Sequence, residues 1–387
     1  MKKVLYLCRH LNYGGAEMGL LTTLKNIDRD KFNFVIVSIE KKGPVGALIG
    51  KLGFKVIYLD SKAGLFNIFL IWKITQILKE ERPDILHTSL FYANFFGRCA
   101  ALLARPRVVI IEERSMYTEK RFYHVVIDKI LSVFTDKIIV CSNSVLDFTV
   151  RQEGIDRDKF CLIYNAVDTE RFNISKPKEA LRAEYGFSND QFIIGTVGSL
   201  IPKKGHRFLI KAISELNEYI PGLKLLVIGE GESRGYLTEL ARLYKSQENV
   251  QFLGARMDVP ELMKLLDIFA LPSLQEGFPR TLIEAMYSGI PVVASNISGI
   301  PEVILDGENG CLVPPGDHAA MTDKIRILYK DPALRNSMGL KARDKIASGY
   351  LPGDYVKSLE NLYTYLIDKK MKKGKNGRDC FVSAKIR

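Results

Sequence analysis

The 387-residue sequence lacks the features that mark several large classes of protein. It has no apolar run approaching the roughly 20 residues of a transmembrane helix, so we expect a soluble or peripheral protein. Its six cysteines occur singly, and its five histidines show no metal-ligand spacing. We therefore predict buried, reduced thiols, a reducing cytoplasmic setting and no bound metal. No residue stands out as a covalent nucleophile.

Positive charge is present in excess, and most of it lies at the C-terminal end. Of the net charge of +12, Lys369–Arg387 carries +7, from eight Lys or Arg residues and the single acid Asp379. Two interpretations stay open: a solvated tail without function, or attraction to an anionic membrane surface. A nucleic-acid partner is not expected, because no basic platform interleaved with aromatic residues is present.

Short Val/Ile/Leu-rich segments alternate with helical segments along the whole chain, which is typical of parallel sheets covered on both faces. Two such arrays in series predict an α/β protein with two Rossmann-like domains, joined in Asn173–Lys178. The predicted strands are Val4–Leu7, Phe34–Ile39, Val56–Leu59, Ile85–His87, Val108–Ile111 and Lys137–Cys141, then Phe192–Val197, Lys224–Ile228, Val250–Phe252, Ile268–Leu271 and Val292–Ala294.

The predicted helix Leu65–Lys79 is unusually apolar. Ile68, Ile71, Trp72, Ile74 and Leu78 fit one helical stripe, which favours a buried helix. An interfacial helix dipping into a membrane is the alternative. Three arginines around another helix of this half could meet lipid phosphates or be solvated; they are Arg98, Arg105 and Arg107.

Glu276 and Glu284 carry the clearest chemical signal. They flank a turn that follows the strand Ile268–Leu271 and opens a helix from Pro279 to Ser288, with Gly289 ending it. A helix N-terminus offers free N–H groups for a phosphate, and the two acids can hold hydroxyl groups. Two solvated surface glutamates are the alternative interpretation.

A second candidate is the loop Gly198–Gly205, which follows the strand Phe192–Val197. Lys204 in this loop can place a positive charge beside a diphosphate, where a departing nucleotide develops negative charge. Because ligands of open parallel sheets bind at the carboxyl ends of strands, the two loops are expected to share a site.

The sequence resembles the retaining glycosyltransferases of family 4, whose signature is E-x7-E. The motifs that carry the resemblance span most of the chain: Gly14–Gly15–Ala16–Glu17, Asn165–Ala166–Val167–Asp168, Gly198 to Gly205, Glu276–Gly277–Phe278–Pro279, Glu284–Ala285–Met286, Gly289–Ile290–Pro291–Val292–Val293–Ala294, Gly299–Ile300–Pro301–Glu302, Asp306–Gly307 and Asn309–Gly310.

The resemblance implies a GT-B fold, in which two Rossmann-like domains face a central cleft and a C-terminal helix crosses back. Residues 1–173 would form the acceptor-side domain, joined by the crossing helix and basic tail of residues 350–387; residues 174–349 would bind the donor. Glu276, Lys204 and Arg114 would be catalytic. The donor site would comprise Gly198, Ser199, Lys204, Gly229, Arg256, Met257, Glu276, Gly277, Phe278, Arg280, Thr281 and Glu284.

The chain departs from the family pattern at two positions. Ser199 stands where relatives carry an arginine for the diphosphate, and Arg280 or Arg114 could compensate for the lost charge. Arg114 also stands near the place where many relatives have a catalytic histidine. On the acceptor side, Gly14 and Gly15 form the expected phosphate-approaching turn, and His87 could orient the acceptor or be a structural histidine.

We therefore expect a metal-independent, retaining glycosyltransferase without a cofactor. Its donor would be a nucleotide-diphosphate sugar, with UDP expected although uracil and guanine are not distinguished by the sequence. Its acceptor would be lipid-linked or a polysaccharide in cell-envelope glycan synthesis, reached in the cytoplasm or at the inner face of the membrane. A sugar-nucleotide 2-epimerase and a non-catalytic sugar-nucleotide-binding subunit are the alternatives.

Overall fold

The computed structural model describes residues 1–61 and 67–375. Residues 62–66, where the predicted helix Leu65–Lys79 would begin, and residues 376–387 of the basic tail lie outside the described part. Two compact units make up the chain. The first consists of Met1–Cys141, Leu146–Ile163 and the segment from Tyr355 onward, and the second of Ser142–Val145 and Tyr164–Asp354.

The first unit is built on a parallel seven-stranded sheet in the order β3-β2-β1-β4-β5-β6-β7. Its strands are β1 (Lys2–Cys8), β2 (Phe32–Ser38), β3 (Lys55–Tyr58), β4 (Ile85–Ser89), β5 (Val108–Glu113), β6 (Lys137–Val140) and β7 (Phe160–Leu162). The helices in this part of the chain are α1 (Gly15–Asn26), α2 (Pro44–Lys51), α3 (Ile68–Glu81), α4 (Phe91–Ala104), α5 (Phe122–Ser132) and α6 (Asn143–Glu153).

The second unit has a parallel six-stranded sheet in the order β10-β9-β8-β11-β12-β13. Its strands are β8 (Ile193–Val197), β9 (Lys224–Ile228), β10 (Val250–Gly254), β11 (Ile268–Leu271), β12 (Val292–Ser295) and β13 (Cys311–Val313). The helices are α7 (Thr169–Phe172), α8 (Lys178–Glu184), α9 (His206–Leu216), α10 (Arg234–Leu243), α11 (Val259–Lys264), α12 (Arg280–Tyr287), α13 (His318–Lys330) and α14 (Pro332–Ala347); α15 (Pro352–Lys375) closes the described chain.

Both sheets confirm the predicted Rossmann-like architecture. The central strands are almost fully buried Val/Ile/Leu runs, because helices cover both faces of each sheet. In each sheet the strand order reverses at one point, between β1 and β4 in the first unit and between β8 and β11 in the second. Such a switch point leaves a crevice at the carboxyl ends of the two strands.

The boundary between the units differs from the predicted join in Asn173–Lys178. The first sheet already ends with β7, and the chain from Tyr164 belongs to the second unit. There the Asn165 side chain donates to the Phe278 carbonyl at 2.7 Å, which explains why this segment packs with the later sheet.

Helix α3 is half-buried, and its buried stripe is not the predicted one. Leu70, Ile74 and Leu78 face the core, at the i, i+4 and i+8 positions. Ile68 and Trp72, which we had placed on the same stripe, are exposed. Along the part of the chain that the structure describes, no helix has the length and apolar character to cross a membrane.

Helix α15 belongs to the first unit from Tyr355 onward, in agreement with the expected crossing helix. Residues 350–354 stay with the second unit, where the Val167 N–H donates to the Tyr350 carbonyl. The Tyr363 hydroxyl lies 2.5 Å from His87 Nδ1, and both side chains are fully buried. This polar contact holds the helix to the centre of the first sheet.

We predict that Tyr363→Phe lowers the free energy of unfolding of the first unit by about 1–3 kcal/mol, because it leaves a buried His87 nitrogen without its partner. Trp72, the only tryptophan, lies in this unit, so its fluorescence during urea unfolding reports the change. The control is Tyr365→Phe on the exposed side of α15. Equal stability of the two variants would contradict the assignment.

Candidate active site

The switch point of the second sheet brings the two predicted site loops together. β8 and β11 are parallel neighbours, so the segments that follow them leave the sheet at the same edge. Lys204 follows β8 and Glu276 follows β11. The Lys204 ammonium lies 2.6 Å from Glu276 Oε1, so a separation of 72 residues in sequence becomes a direct ion pair.

Both glutamates of the E-x7-E pattern are buried, and the alternative of two solvated surface acids is therefore wrong. Glu276 is 7% exposed and Glu284 is 8% exposed. The Ser273 hydroxyl donates to the same oxygen, Glu276 Oε1, at 2.7 Å and helps to fix the carboxylate. Burying charged groups is costly, and a pairing partner offsets that cost for Glu276.

Helix α12 begins and ends within one residue of the predicted positions. Pro279 is its N-cap and contributes no side-chain hydrogen bond to the first turn. At the other end Gly289 has a φ of +74°, and the N–H groups of Gly289 and Ile290 donate to the carbonyls of Met286 and Ala285. This is a Schellman motif, for which glycine is preferred because it tolerates the left-handed conformation.

The peptide between Gly277 and Phe278 is held in one orientation. The Gly277 carbonyl accepts from the Ser142 hydroxyl at 3.2 Å and from the Gly299 N–H at 3.1 Å. Because the peptide is trans, the Phe278 N–H points to the opposite side. The turn thus presents an amide donor in a fixed direction just before α12, as an oxyanion site requires.

Glu284 lies in a different electrostatic environment from Glu276. Burial raises the pKa of the Glu284 carboxyl, and Arg280 and Arg171 offset only part of that rise. Asp168 adds to it as a neighbouring negative charge. The carboxylate therefore costs the folded protein stability in the absence of a ligand.

Backbone contacts hold the loops after β8 and β9 against each other. The Gly198 N–H donates to the Ile228 carbonyl at 3.0 Å, and the Leu200 N–H donates to the Glu230 carbonyl at 2.9 Å. A Cβ at Gly229 would lie 1.9 Å from the Gly198 carbonyl oxygen, so only glycine fits there. Ser199 is exposed beside this contact.

The segment after β10, predicted to read the base, is tied down by side chains. Arg256 Nε donates to Asp258 Oδ1 at 2.8 Å, and this bond chiefly lowers the pKa of Asp258 to about 2. Met257 is half exposed, and its carbonyl accepts from Arg171 at 3.3 Å. Since Arg171 also lowers the pKa of Glu284, it links the segment after β10 to α12.

In the first unit, the structure does not support the expected acceptor role of His87. This side chain is fully buried, between Tyr363 and Glu112, and therefore cannot contact an acceptor. The structural interpretation of His87 is the correct one. The reason is that β4 continues two residues past the predicted strand end, so that His87 lies in the middle of a strand whose five residues are all buried.

Arg114 is also engaged in a structural contact. Its Nε and Nη2 donate to the two oxygens of Glu112, each at 2.8 Å, and Nη2 also donates to the Tyr355 hydroxyl of α15 at 2.9 Å. Burial raises the pKa of Glu112, but Arg114 and then His87 outweigh that effect and hold it well below its ordinary value. We therefore do not retain Arg114 as a catalytic residue.

The predicted glycine turn of the first unit does open a helix, since Gly14 is the N-cap of α1. Glu17 folds back over it, and a Cβ at Gly14 would lie 2.3 Å from the Glu17 carboxylate. Glu17 is buried and lies 3.3 Å from His10. Burial raises the pKa of Glu17, and His10 offsets part of that rise.

Four residues near these sites were not among the predicted site residues: Ser273, Asn165, Arg171 and Glu17. Asn165 and Glu17 belong to motifs that the chain shares with family 4, and this membership could have marked them as site residues. Ser273 and Arg171 carry no sequence signal, because a serine after a strand and a lone arginine in a short helix are common surface features.

The fold is that of the GT-B class, and comparison with known proteins identifies the family. The model described as "Glycosyltransferase Family 4" matches residues 13–171, and "Glycosyl transferases group 1" matches residues 177–345. The chain belongs to glycosyltransferase family 4 and is a glycosyltransferase of glycan biosynthesis.

Several relatives cover most of the chain. An Escherichia coli UDP-Gal:alpha-D-GlcNAc-diphosphoundecaprenol alpha-1,3-galactosyltransferase is 28% identical over 92% of this chain and 97% of its own length. The N-acetyl-alpha-D-glucosaminyl L-malate synthase of Bacillus anthracis is 27% identical over 77% of this chain and 79% of its own. The crystal structure of Anabaena HepE with UDP-glucose superimposes with a TM-score of 0.84, at 23% identity, over 94% of this chain and 100% of HepE.

We predict that Glu284→Gln stabilises the protein at neutral pH by about 1 kcal/mol, because it removes a buried charge whose burial is only partly compensated. Because the folded-state pKa of Glu284 is raised, its protonated form stabilises the fold at low pH, and this contribution is lost as the pH rises through the folded value. On going from pH 4.5 to pH 7 the wild-type protein should therefore lose more stability than the variant, which lacks the Glu284 contribution.

The measurement is urea unfolding followed by far-UV circular dichroism across this pH range. Glu232→Gln, at an exposed position of the same unit, is the matched control and should follow the wild-type curve. A Glu284→Gln curve parallel to the wild type at every pH would contradict the electrostatic account.

Proposed function

We propose that the protein is a metal-independent, retaining glycosyltransferase. It transfers a hexose or acetamido-hexose from a UDP-sugar to a lipid-linked or polysaccharide acceptor in cell-envelope glycan synthesis. The observation that carries the proposal is the ion pair of Lys204 and Glu276 at the switch point, directly before the N-terminus of α12. A cation and a buried acid are thereby assembled directly before a helix N-terminus, where a diphosphate sugar would lie.

Charge development decides the role of Lys204. Cleavage of the bond between the sugar and the diphosphate leaves negative charge on the departing UDP, and a fixed cation stabilises this charge as it forms. Lys204 can exchange Glu276 for a phosphate oxygen without moving far, because its side chain is partly exposed. A lysine that supplies this charge makes a divalent metal unnecessary, which is the basis for proposing metal independence.

The two glutamates would divide the donor between them. Glu276, on the loop, would accept hydrogen bonds from hydroxyls of the transferred sugar, and Glu284, on α12, from the ribose hydroxyls. The directed Phe278 N–H and the backbone amides at the start of α12 would meet phosphate or sugar oxygens. Arg280, in the first turn of α12, would supply part of the charge that Ser199 does not.

Similar proteins support the choice of donor and acceptor. HepE was crystallised with UDP-glucose, and the Escherichia coli relative is named for transfer from UDP-Gal to a diphosphoundecaprenol-linked sugar. Retention would follow from attack of the acceptor on the same face of the sugar from which UDP departs. The leaving phosphate would accept the acceptor's proton, since no side chain of the chain stands out as a covalent nucleophile.

The two alternative functions predict different fates for the same donor. A sugar-nucleotide 2-epimerase would convert the donor alone, without an acceptor. A non-catalytic binding subunit, which the exposed Ser199 in place of a family arginine would favour, would bind the donor and leave it unchanged.

We predict that the purified chain, given UDP-sugars and a diphospholipid-linked sugar acceptor, forms a glycoside with the anomeric configuration of the donor. Proton NMR of the product distinguishes the anomers, and EDTA should change the rate less than twofold. Inversion, an epimer formed from donor alone, or donor binding without product would each contradict the proposal in a different way.

A further inference from the structure

Helix α5 has the reverse of the polarity expected for a surface helix. A helix on a soluble protein turns its apolar side to the core and its polar side to water. The core-facing residues of α5 include Asp128 and Ser132 beside Leu131. Its solvent side instead carries a row of apolar residues that continues past the helix end: Phe122, Tyr123, Val126, Ile130, Val133 and Phe134.

These six apolar side chains are all exposed to solvent and lie next to one another. Phe122 is 83% exposed and Ile130 is 57% exposed. With Val126 and Phe134 they recur at intervals of four residues and thus form one continuous stripe along the helix. A contiguous apolar surface of this kind marks an interaction site.

The inward side of α5 explains why the helix cannot turn over. Asp128 forms buried ion pairs with Arg98 of α4 and with Lys120, and Lys120 also pairs with Glu153. Rotation of the helix to bury its apolar side would break these pairs and leave buried charges without a partner, which is strongly unfavourable. Arg98 is thus structural and is not available for lipid phosphates, as one interpretation of the sequence had allowed.

The neighbouring helices extend the apolar surface. α3 packs on α4 and α4 on α5, so the three helices cover one face of the first sheet. The end of α4 exposes Leu102 and Leu103, and the start of α3 exposes Ile68, Phe69 and Trp72. We call the exposed side of these three helices the α3–α5 face.

The charge of the α3–α5 face is mainly positive. Exposed basic residues lie among or beside the apolar ones: Lys73, Arg105, Arg107, Arg121 and Lys129. α4 contains no acid, the only acid of α5 is the buried Asp128, and the acids of α3 are its last two residues. Glu119 is exposed in the loop before α5.

We propose that the α3–α5 face binds the surface of an anionic lipid bilayer, with the apolar side chains of α5 and α3 inserted among the acyl chains. Apolar and aromatic side chains with basic residues around them are the composition of interfacial helices that lie in the plane of a membrane. This surface is distinct from the basic tail, and it would bring the first unit to a lipid-linked acceptor. The proposal does not depend on which donor the second unit binds.

Charge also favours lipid over a second copy of the chain. A two-fold interface would place the same basic residues of both copies against each other. Because α3, α4 and α5 offer Glu80 and Glu81 as their only acids besides the buried Asp128, such an interface would lack charge complementarity. An anionic bilayer supplies the missing negative charge.

Trp72 provides a direct test, because it is the only tryptophan and is 58% exposed on this face. The full-length chain is mixed with vesicles containing phosphatidylglycerol and phosphatidylcholine. We expect the Trp72 emission to shift to shorter wavelength and to be quenched by brominated acyl chains. Vesicles of phosphatidylcholine alone should bind more weakly. Unchanged Trp72 emission at saturating anionic lipid would overturn the proposal.

Sedimentation of the same vesicles tests the residues. Phe122→Ser with Ile130→Ser should weaken vesicle binding at least about tenfold, because two apolar side chains that would insert into the bilayer are lost. The matched control is Leu243→Ser with Leu340→Ser, at two exposed leucines of the second unit, and should bind as the wild type does. Equal binding by the two double variants would overturn the proposal.

Charge reversal provides an independent arm. Arg121→Glu with Lys129→Glu should weaken binding to anionic vesicles at least about tenfold, since each basic residue near the surface contributes about fivefold. Lys330→Glu with Lys341→Glu, at exposed lysines of the second unit, is the control. Two further results would also overturn the proposal: complete loss of binding on deletion of residues 376–387 with these variants unaffected, or a lipid-independent dimer that the Phe122 and Ile130 substitutions abolish.

Discussion

The contact between Lys204 and Glu276 is the constraint on which the proposed donor site depends. Two charged groups that are distant in sequence meet only because β8 and β11 are neighbours at the point where the strand order reverses. A buried carboxylate is tolerated there because the ammonium and Ser273 satisfy it. Glu284 has weaker compensation, because burial raises the pKa of its carboxyl and Arg280 and Arg171 offset only part of that rise. The fold thus accepts a stability cost at this edge of the sheet.

The first unit uses similar chemistry for a different purpose. At the carboxyl ends of its central strands, Glu112, Arg114 and His87 form a buried network that binds α15 through Tyr355 and Tyr363. Charged residues at strand ends are therefore not sufficient to indicate catalysis. What distinguishes the second unit is the partial exposure of the cation and its position directly before the start of a helix. In the first unit, the feature that indicates an interaction is instead the exposed apolar surface of the α3–α5 face.

Much of the fold and the position of the candidate site could be predicted from the sequence, because their signals are local. Continuous apolar runs gave most of the strands, and Pro279 and Gly289 gave the bounds of α12 to within one residue. The three-residue strands β7 and β13 were missed, since so short a run has no distinctive pattern. The roles of His87 and Arg114 could not be derived, because they depend on contacts with Tyr363 and Tyr355 of α15, at the far end of the chain. The polarity of α5 also required the structure, since Asp128 finds its partners on other elements.

The most direct measurement of the central claim is the affinity for UDP of Lys204→Met and of Lys203→Met, by isothermal titration calorimetry. The two lysines are adjacent, but Lys203 is exposed and Lys204 reaches Glu276. A charge-assisted contact to the diphosphate predicts that Lys204→Met weakens UDP binding about 10- to 100-fold, corresponding to about 1.5–3 kcal/mol, whereas Lys203→Met should stay within twofold of the wild type. Equal affinities of the two variants would contradict the account.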